Sequence, residues 1–400
     1  MDLKSGQPFW TTRSGLIRNY PPLTHDERCD AVVIGGGITG ALVAFHLAEA
    51  GIDTIVLDKR DIARGSTSVT TALLQYEIDT PLHELVDMVG EDHAARSYLA
   101  CRDGIDKIEA LLLKINDNCE FTRKKSLYLA SKQSDVKKLQ KEWEIRKRYG
   151  FHLDWLSRSD IANQFSFERP AALMSYDGAE IDAYRFAHAL LNSAGQMGTR
   201  IYDRTEVTDI QYSPRSVTVK TDRGCSVRAK KVVFAAGYES QIYLKQKVAK
   251  LISTYALASE PVDSFDGWPD RCLIWESAHP YLYMRTTGDN RVIVGGEDDD
   301  FQDPARRDRQ VIRKAGRLKT KFDKLFPQME MEVAYCWAGT FGETKDGLAY
   351  IGESPELYNA YFALGYGGNG ITYSVLAAEI IRDAMRQRAN PYADLFRFDR

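Results

Sequence analysis

The stretch CDAVVIGGGITGALVAFHLAEAG, residues 29–51, decides the fold. Residues 31–34 are apolar and mainly β-branched, which is typical of a buried strand in a parallel sheet. A glycine-rich turn follows at 35–40, and the small and apolar residues after it predict a helix. A second strand at 53–60 contains the acid Asp58, so the segment predicts a βαβ unit.

The turn carries the G-x-G-x-x-G motif in the context that gives it meaning: a strand before it, a helix after it and an acid about 20 residues on. Gly35 permits the tight turn, Gly37 lets a diphosphate approach the backbone, and Gly40 lets helix and strand pack closely. Asp58 is expected to accept both ribose hydroxyls of an adenosine, and its charge disfavours NADP. The motif alone does not separate FAD from NAD, and the alternative is a fortuitous turn. The predicted dinucleotide-binding residues here are Gly35, Gly37, Ile38, Thr39, Gly40, Asp58 and Lys59.

Composition excludes several classes of protein. The 400 residues suggest two domains, with 44% hydrophobic and 27% charged residues as in ordinary globular chains. A net charge of -3 gives no electrostatic case for nucleic acid. No apolar stretch approaches the length of a membrane span, so we expect a cytoplasmic protein, with peripheral membrane contact left open.

The cysteines and histidines predict no metal site. The seven histidines form no ligand pattern, and no C-x-x-C pair occurs. Isolated thiols fit a reducing compartment. The six cysteines are Cys29, Cys101, Cys119, Cys225, Cys272 and Cys336.

The remaining pattern predicts an α/β protein, α+β overall, in which a Rossmann-like FAD-binding domain is interleaved with a β-sheet substrate domain. Helices are predicted at 83–118, 134–149, 183–198, 305–325 and 371–388. Strands are predicted at 200–230, 230–237, several places in 250–335, and 359–365. The predicted nucleotide domain comprises 1–83, 166–245 and 336–400, and the substrate domain comprises 84–165 and 246–335.

Several further segments resemble one known family in the expected order. They are YPPL (20–23), GGITGALVAFHLAEAG (36–51), RGSTSVTTALLQ (64–75), VVFAAG (232–237) and GYGGNGIT (365–372). They resemble flavin amine oxidoreductases of the D-amino-acid oxidase-like family, within the glycine and sarcosine oxidase superfamily, over about residues 8–400. YPPL (20–23) and GGITGALVAFHLAEAG (36–51) also resemble the branch containing gamma-glutamylputrescine oxidase. Some of its members carry a Rieske domain, which we expect to be missing here.

The resemblance implies FAD as the cofactor and assigns residues to it. Gly65, Ser66 and Thr67 would reach the diphosphate and the ribityl chain, and Val207 would bracket the adenine. The glycine-rich residues 368–372, at the start of the last predicted helix, would aim backbone donors at the flavin C2 carbonyl. Flavin attachment through cysteine would align with Gly339, so we expect non-covalent FAD. The residues so implied are Gly65, Ser66, Thr67, Thr71, Val207, Ala235, Ala236, Gly237, Gly339, Gly368, Asn369, Gly370, Ile371 and Thr372.

The segment WAGTFGETKDGLAYIG (337–352) bears on the substrate. Glycine-oxidase-type relatives have an arginine that binds the substrate α-carboxylate where this chain has Phe341. This departure favours an amine whose charged end lies far from the reacting carbon. The alternative is that Phe341 packs in the core and another arginine takes the role. Arg285 is the candidate, because Tyr281, Tyr283 and Arg285 share one face of a predicted strand.

Two alternatives stay open around this site. In the first case, either the strand face with Tyr283 and Arg285 lines the substrate cavity, or this face packs against the other domain and Arg285 forms an ion pair there. The run GGEDDD (295–300) attracts a cationic amine, or it is a solvated loop.

We expect an FAD-dependent oxidoreductase that oxidises an amine or amino-acid C–N bond to an imine by hydride transfer to flavin N5. Its partners would be a small-molecule substrate and, as electron acceptor, oxygen or an unknown carrier. The alternatives are oxidation of a hydroxyl substrate, as in relatives of glycerol-3-phosphate dehydrogenase, and a non-catalytic dinucleotide-binding protein.

Overall fold

The computed structural model describes residues 2–364 and 367–400. Gly365 and Tyr366, which belong to the predicted strand at 359–365 and to the GYGGNGIT segment, lie outside the described residues. The described strands, in chain order, are β1 (Lys4–Gly6), β2 (Glu27–Ile34), β3 (Thr54–Leu57), β4 (Leu73–Leu74), β5 (Thr122–Leu129), β6 (Leu153–Ser157), β7 (Ala171–Glu180), β8 (Arg200–Tyr202), β9 (Val207–Tyr212), β10 (Val217–Thr221), β11 (Ser226–Phe234), β12 (Lys250–Ser259), β13 (Leu273–Glu276), β14 (Leu282–Thr286), β15 (Val292–Asp299), β16 (Val333–Glu343), β17 (Tyr350–Glu353) and β18 (Ala360–Leu364).

The α-helices of these residues are α1 (Phe9–Ser14), α2 (Ile38–Glu49), α3 (Leu82–Val89), α4 (Glu91–Ile115), α5 (Val136–Arg148), α6 (Arg158–Gln164), α7 (Ala183–Gln196), α8 (Pro304–Leu325) and α9 (Gly370–Met385). Helices α5, α7, α8 and α9 begin and end close to predicted positions, the predicted range 83–118 is occupied by α3 and α4, and α1 and α6 were not predicted. None of the helices in the described part of the chain has both the length and the apolar character needed to cross a membrane.

The first sheet has the order β17-β18-β11-β2-β3-β8, with β10 pairing β11 and β9 pairing β10. From β18 to β8 every neighbouring pair is parallel. Alternating side chains of β2 face opposite sides: Val33 packs in the core beneath α2 and α9, whereas Val32 and Ile34 pack in a separate cluster on the other face. The predicted βαβ unit and α/β class are confirmed.

The second sheet has the order β1-β16-β12-β15-β14-β13-β5-β7-β4, with β6 paired to β7. Its outer face is covered by α8, whose Leu318 and Phe322 are fully buried with Trp268 in one apolar cluster. Strand β7 and most of strand β16 fall inside ranges assigned by sequence to the nucleotide domain, but both pair within this second sheet. The predicted boundaries at 166 and 336 are therefore corrected, because strand partners are long-range and leave no local signal.

A buried ion cluster ties α5 to the start of α3. Arg146 Nε donates to Glu142 Oε1 at 2.6 Å, and Arg146 Nη1 lies 3.4 Å from Glu77 Oε1. Glu142 also accepts the backbone N–H groups of Leu82 and His83, each at 2.9 Å. Although burial acts in the opposite direction, Arg146 and these donors lower the pKa of Glu142 to about 2.

Replacing Glu142 by Gln should destabilise the protein by about 3–5 kcal/mol, because it leaves a buried guanidinium short of its partner. The comparison is the urea-unfolding free energy of Glu142→Gln and of Glu144→Gln, which changes an exposed acid on the same helix. The folded-state pKa of Glu142 lies below its ordinary value of 4.5, so its contribution is present above about pH 4.5 and is lost toward pH 2. The wild type should therefore lose stability more steeply than Glu142→Gln over that range. Equal acid slopes would contradict this account.

Candidate active site

One long cavity lies between the two sheets, with a volume of about 350 Å³, within the range of small-molecule sites. The strands β2, β3, β11 and β18 are parallel, so their carboxyl ends meet at one edge of the first sheet. The segments that follow these four strands all line the cavity. The fold therefore collects residues that are more than 300 positions apart in the sequence.

The glycine turn after β2 is held by close backbone contacts. Gly35 has φ of 108°, and a Cβ there would lie 2.6 Å from the carbonyl oxygen of Ala235. A Cβ at Gly40 would overlap the carbonyl oxygen of Gly35, so α2 packs directly against the turn. The Ile38 N–H at the start of α2 donates to Thr67 Oγ1 at 2.9 Å, which leaves the Thr67 hydroxyl proton for another acceptor.

Asp58 lies at one end of the cavity and braces the turn. Its Oδ2 accepts the Gly36 N–H at 2.7 Å and its Oδ1 accepts the Arg60 N–H at 2.8 Å. Burial raises the pKa of Asp58 to about 6, while these two N–H groups and the Arg60 charge act to lower it. Glu239 binds both Lys59 Nζ and Arg60 Nη1 at 2.9 Å, so the two cations that line this end are ion-paired.

A second helix, α9, begins further along the cavity. Asn369 Nδ2 donates to the carbonyl oxygens of Gln75 and Glu77 at 3.0 and 2.8 Å, which fixes the chain opposite the helix start. Thr39 in α2 and Ser374 in α9 are hydrogen-bonded at 2.8 Å through their hydroxyl oxygens. The cavity thus receives the N-termini of two helices that are bonded to each other.

Most of the residues predicted from sequence line this cavity. Three do not: Gly40 packs against Gly35, Thr372 is buried and lies 3.4 Å from the Gln75 carbonyl oxygen, and Arg285 lies behind the cavity wall. The predicted residues that line the cavity are Gly35, Gly37, Ile38, Thr39, Asp58, Lys59, Gly65, Ser66, Thr67, Thr71, Val207, Ala235, Ala236, Gly237, Tyr283, Gly339, Phe341, Gly368, Asn369, Gly370 and Ile371.

This set fits a dinucleotide that carries a flavin. A helix N-terminus with unpaired N–H groups suits a diphosphate, and Asp58 keeps lone pairs that can accept ribose hydroxyls. The second helix N-terminus, at α9, suits a ring system that gains negative charge on reduction. The cavity continues past this point, which leaves room for a substrate beyond the cofactor.

Aromatic side chains form the wall at the far end. The ring of Tyr283 rests on Gly295, where a Cβ would overlap it, and the Tyr283 hydroxyl lies 3.4 Å from Thr254 Oγ1. Phe341 is half-buried in this wall, in β16, rather than in the core. The wall residues are Tyr238, Trp275, Tyr281, Tyr283 and Phe341.

Arg285 belongs to the interior packing, the second of the two alternatives. Its Nη1 donates to the carbonyl oxygens of Ala72 and Ile181 at 2.8 and 3.0 Å, its Nε lies 3.4 Å from Glu180 Oε2, and it lies over the Trp10 ring. Strand alternation alone placed it on the Tyr283 face, but the guanidinium reaches past the wall. It holds the backbone of a cavity-lining segment instead of entering the cavity.

Sequence reasoning missed Asp79 at the far end. Asp79 accepts the Gly368 N–H at 2.8 Å, and burial raises its pKa to about 6. Asp298 belongs to the run 295–300, for which the sequence allows both attraction of a cationic amine and a solvated loop; it lies in β15 and lines the cavity, with its pKa also raised by burial to about 6. Nothing in the local pattern around Asp79 marks it, since its position depends on a contact 289 residues away.

Among the described residues, no group of three or more potential metal ligands occurs. No described cysteine lines the cavity, and Cys336 is half-buried outside it.

Replacing Gly37 by Val should abolish dinucleotide retention while leaving the apoprotein folded. A Cβ at this position would meet only Thr67 Oγ1 at 3.0 Å, so the side chain enters the cavity rather than the core. The checks are the flavin absorbance per protein after gel filtration and the urea midpoint of the apoprotein. Gly316→Val, on α8 with no atom within 4 Å of the new Cβ, is the control. A yellow Gly37→Val protein would count against the assigned diphosphate position.

The sequence and the fold of this chain are similar to those of known proteins. A family model described as DAO, FAD dependent oxidoreductase, matches residues 30–384. Gamma-glutamylputrescine oxidoreductase of Escherichia coli is 27% identical, over 97% of this chain and 91% of that protein. Glycine oxidase of Geobacillus kaustophilus is 25% identical, over 92% of this chain and 96% of that protein. Its solved structure has a TM-score of 0.75 at 19% identity, covering 92% and 98% of the two chains.

The predicted family, the FAD cofactor and the enzyme class are confirmed by this match. Since the matched region is far more than half of the chain, this protein belongs to the DAO family of FAD-dependent oxidoreductases.

Proposed function

We propose that this protein oxidises an amine at the carbon beside nitrogen, giving an imine that hydrolyses. One observation carries the proposal: the far end of the cavity combines aromatic rings with Asp79 and Asp298, and the described cations that line the cavity, Lys59 and Arg60, are at the Asp58 end. Aromatic faces and carboxylates attract an ammonium group and repel a carboxylate or phosphate.

Bound FAD, held without a covalent bond, supplies the hydride acceptor. The residues of this chain orient the amine and exclude water, which supplies much of the rate in such reactions. Asp79 and Asp298 attract the cationic amine on entry, and the apolar rings then favour the uncharged form that reacts. The N-termini of α2 and α9 face the cavity and stabilise negative charge that develops there.

The names of two relatives support an amine or amino acid as the substrate: one is an oxidoreductase of gamma-glutamylputrescine and another is a glycine oxidase. A phosphorylated hydroxyl substrate would need cationic side chains at the far end, where the described lining residues are aromatic, polar or acidic. An α-amino acid would place its carboxylate near Asp79 and Asp298, so an amine without an α-carboxylate is the better fit. Electrons then pass to oxygen or to a separate carrier.

Anaerobic mixing with an amine should bleach the oxidised flavin band, because hydride transfer reduces the ring. We expect bleaching by amines that lack an α-carboxylate, and little by glycine or glycerol 3-phosphate at the same concentration. Admitting air then reports whether oxygen reoxidises the flavin. Bleaching by glycerol 3-phosphate alone would favour oxidation of a hydroxyl substrate. The absence of bleaching by every amine and amino acid tested would contradict the proposed amine oxidation.

Replacing Phe341 by Arg should shift preference toward small α-amino acids. A guanidinium on this wall offers a carboxylate two parallel hydrogen bonds and also competes for the nearby acids. The ratio of kcat/KM for glycine to kcat/KM for an amine should rise by about tenfold or more, the effect of one charge-assisted hydrogen bond. Phe341→Leu, which changes the shape without adding charge, is the control. An unchanged ratio would show that position 341 does not face the substrate.

A further inference from the structure

Three carboxyl groups line the far end of the cavity: Glu77, Asp79 and Asp298. Glu77 and Asp79 are two residues apart in the segment that follows β4, and Asp298 comes from β15 in the second sheet. Glu77 shares Arg146 with Glu142, which leaves Asp79 and Asp298, one carboxylate more than the single ammonium charge of a monoamine balances. The surplus negative charge requires a physical explanation.

Glu77 is 6% exposed and only partly neutralised. Its Oε1 accepts the Ser175 hydroxyl at 2.7 Å and lies 3.4 Å from Arg146, but Arg146 makes its shorter contact to Glu142. Two carboxylates therefore share one guanidinium. The Glu77 Oε2 atom is buried and has no hydrogen-bond partner among the described residues. A buried carboxylate oxygen in this state calls for a further positive group nearby.

Asp79 and Asp298 differ from Glu77: Asp79 is exposed where it lines the cavity, and Asp298 is half-buried, with Thr254 and the charge of Lys314 acting on it. Asp79 receives one backbone hydrogen bond, from Gly368, and lies so close to the glycine pair that a Cβ at 368 would come within 2.5 Å of its Oδ1. The Asp298 Oδ1 atom is buried with no partner among the described residues. Besides the larger effect of burial, Glu343 raises the pKa of both acids and Asp298 raises the pKa of Asp79, so the two carboxyl groups lie near each other.

Aromatic rings complete this space. Tyr281 and Tyr283 lie close enough to Asp79 and Asp298 that both acids raise the pKa values of the phenols. Tyrosine faces beside carboxylates form a site for ammonium groups, since the ring quadrupole and the charge act together. No described lysine or arginine lines this end.

We propose that the substrate is a diamine or polyamine-like dication: one amine nitrogen is oxidised, and a second ammonium group is bound between Asp79 and Asp298 against the tyrosine wall. The inference rests on the proposed amine oxidation and names the class of amine. Phe341 is consistent with it, because the wall offers no cationic group for an α-carboxylate.

The test measures binding and turnover separately in the holoenzyme. Rapid anaerobic mixing of the oxidised holoenzyme with 1,4-diaminobutane or with n-butylamine gives each dissociation constant from the spectral change that precedes bleaching. The diamine should bind about tenfold or more tightly, which corresponds to about 1.4 kcal/mol. Anaerobic bleaching by the same two compounds then reports turnover. Selective diamine binding without bleaching would support the second ammonium site and contradict the proposed oxidation. Bleaching by both compounds with equal affinities would support the oxidation and contradict the second ammonium site.

Two variants assign the second ammonium site. Asp79→Asn keeps an oxygen that can accept the Gly368 N–H, and Asp298→Asn keeps the side-chain volume, so flavin content should be unchanged. Each should weaken diamine binding about tenfold and n-butylamine binding by a clearly smaller factor, because both acids attract any ammonium group but only the diamine places a second charge between them. Asp300→Asn is the control, because Asp300 is exposed and pairs with Lys250 at 2.6 Å. An equal loss of affinity for both compounds, or no loss for either, would overturn the assignment of the second ammonium site. If a variant fails to fold, the comparison of diamine and n-butylamine binding to the wild-type holoenzyme still decides the question.

Discussion

The close approach of α2 to the turn that precedes it is the constraint on which the rest of the structure depends. Because no Cβ fits between Gly40 and the Gly35 carbonyl, the helix starts directly at the carboxyl edge of the sheet. Thr67 then accepts from its first N–H group, and Thr39 bonds Ser374 of α9. The contact between Gly35 and Gly40 thus fixes the start of α2 and, through the Thr39–Ser374 bond, the start of α9. Both helix N-termini that face the cofactor cavity therefore depend on this contact.

The cavity has opposite chemistry at its two ends, and this polarity organises the function. Near α2, backbone donors and the helix dipole suit a diphosphate, while Glu239 neutralises Lys59 and Arg60. At the far end, the acids Asp79 and Asp298 lie among aromatic rings. This polarity would draw an anionic cofactor to one end of the cavity and the amine that we propose as substrate to the other. The sheet pairing of β12 with β16 connects the substrate wall to the strand that carries Phe341.

The sequence predicted what depends on local pattern. The βαβ unit, Asp58 and the helices α7, α8 and α9 follow from periodicity and capping, which act over a few residues. Strand partners do not: the place of β7 and β16 in the second sheet is decided by their pairing with β5 and β12, which lie far away in the sequence. Arg285 illustrates the limit most clearly. Alternation gives its face, but the long side chain bonds Ala72 and Ile181 behind the wall, which only the packed structure reveals.

The glycines outside the nucleotide motif have an explanation that differs from phosphate binding. Gly295 seats the ring of Tyr283, a Cβ at Gly342 would lie 2.5 Å from the ring of Tyr238, and Gly367 leaves room for the carboxylate of Asp79. Each missing side chain is thus matched by a bulky or charged group that lines the substrate end. A glycine-rich segment late in such a chain therefore marks the places where the substrate wall is closest to the backbone. Side chains seated on backbone have little room to shift, so the rings and the carboxylate would offer the proposed amine a preorganised arrangement.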